Sequence, residues 1–384
     1  VVLLLGAALI LTGCGGATKH TRTAKGELSI YTSLPFEGPY GSEAQAIYEG
    51  EELAWAQTGG VVNGVKVVLR RLDDATSGAG YSAAQVALNA RIAAEDPSTV
   101  AYIGELTPGS SPASIRTLSA ADILQVSPGD SATGLRAKTF ARVVPSAFED
   151  AEKDLELMSR PLVKTIYLIQ DRTTYGRDVA REVRAQAASD GITILDRPRT
   201  YLPNDPATMV ARIRRLKPAG LLYAGLPNAS VPSIWSAVTA AEPTIKKFAA
   251  ASITYSPNWG QSTAAARSAR YNTYLSTPGL NRGLPRAGSE FESDFVATYR
   301  GRWPWQSGIF GYVAMSGVLD ALHSLGRHPK NLRAGIVHAF MRIKNLPSAL
   351  GTYSILGGQT TFQSYYFSTY TRAGTTTPFV PGLP

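Results

Sequence analysis

Three stretches combine hydroxyl side chains with glycine in a way that suits a small-molecule site. They are Gly104-Glu105-Leu106-Thr107-Pro108-Gly109-Ser110-Ser111-Pro112, Ser127-Pro128-Gly129-Asp130-Ser131 and Gln170-Asp171-Arg172-Thr173-Thr174-Tyr175-Gly176. Each follows a short apolar run, and the first opens a helical pattern. Serine hydroxyls and free N–H groups at a helix start suit a carboxylate. In parallel α/β sheets ligands sit beyond the carboxyl ends of the strands, so three such loops together read as one binding site. Asn228, after Pro227, reads as a turn residue with a ligand contact as its alternative.

Catalytic signatures are missing. There is no G-x-x-x-x-G-K-[ST], no G-x-S-x-G, no S-x-x-K and no H-E-x-x-H. Four histidines (His20, His323, His328, His338) and one cysteine leave little for metal chemistry and exclude a disulfide framework. Neither a metal nor a cofactor is expected. Gly78-Ala79-Gly80-Tyr81-Ser82-Ala83 matches G-x-G-x-x-A between a strand and a helix. Asp73-Asp74 just before it would repel a pyrophosphate, so the motif reads as a glycine loop entering a helix. Adjacent residues of an extended segment point in opposite directions, so Asp73-Asp74 reads as a polar strand end rather than an acid/base pair.

The elements that must hold these loops alternate. Strand patterns fall at 28–33, 65–72, 100–103, 123–126, 165–169, 192–195, 220–224 and 247–251. Helical patterns fall between them at 43–57, 81–94, 111–120, 175–189, 206–216 and 231–241. Such alternation predicts an α/β fold with parallel sheets, divided near 144–150 into two doubly wound lobes. Three helices at 290–300, 308–325 and 331–343, then strands at 353–356 and 365–370, close the chain. Proline-bearing stretches at 144–145 and 275–278, with a third at 350–353, are the candidate crossings between lobes. No internal repeat is found.

The 384 residues carry 38 Lys+Arg against 29 Asp+Glu, a net charge of +9, with 44% hydrophobic residues. That composition excludes wholesale disorder. The basic residues are scattered without runs, so nucleic acid is not an expected partner. Residues 1–11 are an uncharged apolar run, too short to span a membrane and suited to the core of a secretory leader. With no Met or basic segment before it, the leader reads as truncated at its start. Leu11-Thr12-Gly13-Cys14 resembles the bacterial lipobox, in which small residues admit a peptidase and the cysteine thiol takes the lipid. The expectation is a signal peptide over 1–13, a lipidated tether over 14–26, and an exported protein held on the outer face of the cytoplasmic membrane or another periplasm-facing membrane. A dozen extended tether residues reach roughly 40 Å at about 3.3 Å each.

The same loops carry a family resemblance. Tyr40-Gly41, Gly59-Gly60-Val61-Val62-Asn63-Gly64, Tyr102-Ile103-Gly104, Ser110-Ser111-Pro112-Ala113-Ser114, Ser127-Pro128 and Asp171 with Tyr175-Gly176 occur in this order over 28–370. Together they resemble the leucine/isoleucine/valine-type solute-binding proteins of ABC transporters, which have the type I periplasmic-binding fold. The resemblance implies lobe 1 at 27–145 plus 276–350 and lobe 2 at 146–275 plus 351–384, joined by a three-crossing hinge. It implies a small polar ligand (an amino acid, carboxylate or amide), an ABC permease as partner, a monomer and no catalysis. Ser110 or Ser111, and Gly129 with Ser131, would hold the ligand carboxylate and amine. Tyr175 would face the ligand from lobe 2, with Tyr40 near the first loop. Ser252 stands where such proteins often carry an acid for the ligand amine; Asp130 and Asp171 are the acids that would replace it. A ligand-sensing lipoprotein of the same fold is the alternative, and a secreted enzyme the remoter one.

Overall fold

The computed structural model describes residues 26–76, 80–196, 200–256, 258–279, 286–302, 304, 307–327, 329–363 and 365–379. Residues 1–25, where the leader, Cys14 and most of the tether are expected, lie outside the described residues, as do Gly78 and Ala79.

The chain begins with β1 (Glu27–Leu34), α1 (Gly41–Gln57), β2 (Val61–Val62), β3 (Val65–Asp73), α2 (Ala83–Glu95), β4 (Thr99–Ile103), α3 (Pro112–Ala120), β5 (Leu124–Ser127) and β6 (Phe140–Arg142). Its strands form one sheet in the order β2-β3-β1-β4-β5-β6, in which β1 runs parallel to both β3 and β4. Crossovers in such strand–helix–strand units are right-handed and cover both faces with helices, and β1 and β4 at the centre are almost wholly buried, the polar Ser29, Thr32 and Ser33 included.

The second lobe follows: α4 (Ala147–Ser159), β7 (Thr165–Gln170), α5 (Thr174–Gln186), β8 (Thr193–Ile194), α6 (Pro206–Leu216), β9 (Gly220–Ala224), α7 (Val231–Ala241), β10 (Lys246–Ala250), α8 (Ala264–Arg270) and β11 (Thr273–Pro278). After α9 (Arg286–Thr298), α10 (Gly308–Ser324) and α11 (Leu332–Met341), the chain returns as β12 (Tyr365–Tyr370) and β13 (Thr376–Pro378). The lobe 2 sheet has the order β8-β7-β9-β10-β11-β12-β13, parallel from β8 to β11, with β12 antiparallel to β11. Among the described residues no helix is long and apolar enough to cross a membrane.

Local chemistry sets the helix starts. Ser82, Thr173, Asp205 and Asn331 each accept a backbone N–H in the first turn of the helix that follows. α4, which strand–helix alternation does not reveal at this position, starts with a capping box between Ser146 and Glu149. Its buried face carries Ala147, Ala151, Leu155 and Met158 at helical spacing.

Two expected crossings need correction. Ser276, Thr277 and Pro278 pair with β12, so the second crossing comes after Pro278 and 276–278 belong to lobe 2. Tyr353, Ile355 and Phe362 pack in the lobe 1 core with Ile30, Val100 and Val318, and Tyr353 stacks on Phe362 at 4.9 Å. The third crossing therefore falls between Phe362 and Tyr365 rather than at 350–353. Two short hairpins hold 346–360 on lobe 1, and their backbone pairing is local enough to escape a reading by periodicity.

The returning helices complete lobe 1. Phe291, Phe295, Ile309, Val313, Val318, Ile336 and Phe340 share one core with Val67, Leu124 and Val126. α10 meets α1 at glycines: a Cβ on Gly50 would collide with the Gly308 carbonyl oxygen, and one on Gly311 with the Ile47 carbonyl oxygen. Neither backbone oxygen can turn aside. Gly50→Ala or Gly311→Ala is expected to destabilise the protein by roughly 2–4 kcal/mol. Urea unfolding checks this, and a variant as stable as the parent would show that the two helices can separate at low cost.

Candidate functional site

The strand-end loops of the two sheets face each other across one cavity of about 150 Å³. Lobe 1 contributes Tyr40, Glu43, Leu106, Thr107, Gly129 and Ser131, and lobe 2 contributes Asp150, Tyr175, Leu226, Ala250 and Ser252. Val144 and Pro145 of the first crossing and Pro278 before the second also line it, so the hinge forms part of the wall. Ser307 and Phe310 reach it from the start of α10.

The lobes touch beside the cavity. Asp178 Oδ2 on α5 accepts the Thr133 N–H at 2.9 Å, and Arg181 Nη2 donates to Thr133 Oγ1 at 2.5 Å. Gly109 lies against Thr174; a Cβ there would stand 2.7 Å from Thr174 Oγ1, and the residue has φ +91°, a conformation glycine adopts without strain. These contacts make this a closed arrangement.

Of the residues expected at the site, Tyr40, Gly129, Ser131, Tyr175 and Ser252 line the cavity. Ser110, Ser111 and Asp130 do not, and this corrects their expected role. The Ser110 hydroxyl donates to the Thr107 carbonyl oxygen beneath the loop. Asp130 is fully buried and turns its carboxylate to the start of α3. Its Oδ1 accepts the N–H groups of Gly109 at 2.7 Å and Ala132 at 3.0 Å, and its Oδ2 accepts that of Ser111 at 2.8 Å. The chain's own carboxylate thus occupies the amides expected to take a ligand carboxylate. Burial raises the Asp130 pKa, opposed by these amide donors.

Neighbouring groups fix that arrangement. Ser127 Oγ donates to the Glu105 carbonyl oxygen at 2.7 Å and accepts the Asp130 N–H at 2.8 Å. Gly129 is held against Leu106, whose carbonyl oxygen would lie 2.6 Å from an added Cβ. Arg142 Nη1 donates to the carbonyl oxygens of Ala132 at 2.7 Å and Asp130 at 3.1 Å, and its Nε to Gln359 Oε1 at 2.6 Å.

In lobe 2, Asp171 is structural rather than a ligand acid. Its Oδ1 accepts the Thr173 N–H at 2.9 Å and its Oδ2 the Leu226 N–H at 2.8 Å, tying two strand-end loops together. Gly176 sits so close that a Cβ would collide with Asp171 Oδ1, which accounts for the Tyr175-Gly176 pair. Asn228 Oδ1 accepts the Ser230 N–H at 2.8 Å, as a turn residue does. Asp73 Oδ1 accepts the amides of Phe36 and Ala75, while Asp74 is buried near Glu105, so the two acids diverge.

Two cavity acids escaped sequence reasoning. Glu43 lies in the first turn of α1 and Asp150 in that of α4. Burial pushes both carboxyls up to about 7. Tyr365 donates its hydroxyl to Asp150 Oδ1 at 2.5 Å, and Tyr175 lies beside it. Acids at a helix start ordinarily serve the helix dipole, which hides any other use; the capping box before Asp150 is the one signal that could have placed it on a helix.

A model of the periplasmic binding protein family matches residues 30–375. No curated protein matches the chain. Among solved structures, the leucine-binding protein LivK of Thermotoga maritima is 16% identical with a TM-score of 0.74, covering 92% of this chain and 98% of its own. An ABC transporter substrate-binding protein of Desulfitobacterium hafniense in complex with Leu is 17% identical with a TM-score of 0.75, covering 92% and 100%. A solute-binding protein of an ABC transporter of R. palustris in complex with benzoate is 16% identical with a TM-score of 0.74, covering 92% and 95%. At these identities the likeness is one of fold.

One turn behind Asp150, Asp154 is buried and accepts the Ser276 hydroxyl at 2.6 Å, and burial pushes its carboxyl up to about 7 from 3.8. The native state therefore holds a proton that the unfolded chain releases between those values. Its contribution is fully present below the unfolded pKa and is lost as pH rises through the folded one. Asp154→Asn, which keeps an acceptor for Ser276, is expected to flatten this loss and to be more stable than the parent at pH 8 by on the order of 2 kcal/mol. Urea titrations at pH 5 and 8 check it; an equal loss in parent and variant would mean that Asp154 is already ionised.

Proposed function

The chain belongs to the periplasmic binding protein family, and from that premise we propose that it captures a small solute between its lobes outside the cytoplasm and presents it, unaltered, to an ABC permease. The observation that carries this reading is the closed cavity between two strand-end faces, walled in part by the crossings that would act as its hinge. Opening would part the Thr133–Asp178–Arg181 contacts and the Gly109–Thr174 contact and leave each lobe its own core. That is the hinge motion of a two-lobed receptor. The protein would act as a monomer, tethered through a lipid on Cys14 near the permease.

A ligand that binds only the native state stabilises it by RT ln(1 + [L]/Kd). In a millimolar screen of amino acids, amines, amides and small carboxylates, a micromolar binder is expected to add about 4 kcal/mol and to raise Tm. Tyr175→Ala is expected to weaken binding of such a hit by about tenfold or more, through lost ring contact. Ser110→Ala is expected to leave it within about threefold, because that hydroxyl faces the Thr107 carbonyl. Calorimetry on the two variants separates them, and the reverse order of effects would overturn the cavity assignment.

Cys14→Ser removes the thiol that would carry the lipid. The variant is expected to leave the membrane fraction; continued sedimentation with membranes would count against the anchor.

A further inference from the structure

The cavity differs in charge from one that reads a carboxylate. The amides at the start of α3 are filled from within by Asp130, through Gly109, Ser111 and Ala132. A ligand carboxylate there would compete for the same donors against a negative charge already at hydrogen-bond distance. The cavity wall also has no cation to offer one: among the described residues no Lys, Arg or His lines it. The buried Arg142 commits its Nη1 to the Asp130 and Ala132 carbonyl oxygens and its Nε to Gln359, and it does not line the cavity. An anion in such a place would exchange its hydration for the hydroxyls of Thr107, Ser131, Ser252 and Ser307 with no cation beside it, and burying a charge without a charged partner is costly.

A protonated amine meets the opposite situation. Glu43 lines the cavity from lobe 1 and Asp150 from lobe 2. Tyr40 adjoins the first acid, and Tyr175 and Tyr365 the second, with Glu149, Asp154 and Arg142 also acting on Asp150. The remaining wall is largely apolar: Leu106, Val144, Leu226, Pro278 and Phe310. A space of about 150 Å³ is on the order of one that admits benzene, so the organic body is small.

Resting on the solute-binding reading above, we propose that the ligand is a small organic amine without a free carboxylate, held as a cation between Glu43 of lobe 1 and Asp150 of lobe 2. Because the two acids come from opposite lobes, the cation itself draws the lobes together, and closure follows from charge pairing across the cleft. The tyrosine rings add a cation–π face on either side. Asp130 acts as the discriminator, a built-in carboxylate that turns amino acids away.

The test is calorimetric titration of the full-length protein with matched probes: isoamylamine, leucinamide, the neutral 4-methylpentanamide, 4-methylpentanoate and leucine. Isoamylamine and leucinamide are expected to bind at least about tenfold tighter than leucine or 4-methylpentanoate. Glu43→Gln and Asp150→Asn are each expected to weaken the two amines by about tenfold or more and to leave the neutral amide within about threefold. Carboxylate or leucine binding as tight as amine binding would overturn the charge assignment and leave the receptor reading intact. Silence of every probe here and of the wider screen would instead count against the receptor reading itself, and the amine assignment would fall with it. Asp130→Ala gives a readout independent of ligand identity. Millimolar formate is expected to fill the vacated amides and raise the Tm of this variant while leaving the parent unchanged. An equal rise in the parent would show the amides to be open and would overturn the proposal. If Asp130→Ala does not fold, Asp130→Asn, which keeps one carbonyl acceptor, is expected to gain affinity for 4-methylpentanoate; no gain would count against Asp130 as the discriminator.

Discussion

Much of lobe 1's binding face depends on one carboxylate meeting three backbone amides. Asp130 comes from the loop after β5 and binds Gly109 and Ser111 in the loop after β4, and Ala132 in its own loop. Amides at a helix start need an acceptor, and a buried carboxylate needs donors. Each need is met by the other, and two loops that would otherwise move separately become one surface. Arg142 extends the tie by gripping the carbonyl side of the same segment and reaching Gln359 near the third crossing. The network thus runs from the cleft wall to the stretch leading into the hinge.

Lobe 2 solves the same problem with the same chemistry. Asp171 at the end of β7 accepts amides from its own loop and from Leu226 after β9. In both lobes an acid at a strand end is spent on holding loops, so neither is free to read a ligand. What is left to face the cavity is a set of apolar and aromatic side chains, the hydroxyl residues Thr107, Ser131, Ser252 and Ser307, and two acids that lie on helices. The electrostatics of the cleft follow from this division: the strand-end acids are held by backbone amides, whereas Glu43 and Asp150 line the cavity, Asp150 with the Tyr365 hydroxyl as its partner.

The strand–helix alternation, the two lobes and the position of the site at the strand ends were legible because they depend on local periodicity and on a general rule for parallel sheets. Gly129, Ser131 and Tyr175 lie on strand-end loops that the same rule picks out, whereas Tyr40 and Ser252 were suggested only by the family resemblance. The role of Asp130 was not, because a serine-rich helix start looks the same whether its acceptor is a ligand or an aspartate nineteen or twenty-one residues away. Glu43 and Asp150 were hidden by position, since an acid in the first turn of a helix is already accounted for by the helix dipole. Only the approach of one lobe to the other turns them into cavity wall. The third crossing was displaced by about ten residues because the small hairpins of 346–360 pack through Tyr353, Ile355 and Phe362, a tertiary fact with no periodic signature.

The return of the chain to lobe 1 also explains why the site cannot be assembled from the first two-thirds of the sequence. α10 carries Ser307 and Phe310 to the cavity, at its N-cap and first turn. Its depth is set by backbone contact with α1 at Gly50, Gly308 and Gly311, where side chains would hold the two helices apart. α1 in turn begins with the turn that bears Tyr40 and Glu43. A helix pair packed through glycine therefore fixes, in one contact, the height of two cavity walls that are distant in sequence. The cavity's narrow volume is a consequence of that contact: a looser crossing of α1 and α10 would shift Glu43 and Phe310 relative to each other, and with them the distance over which a bound solute could bridge to Asp150.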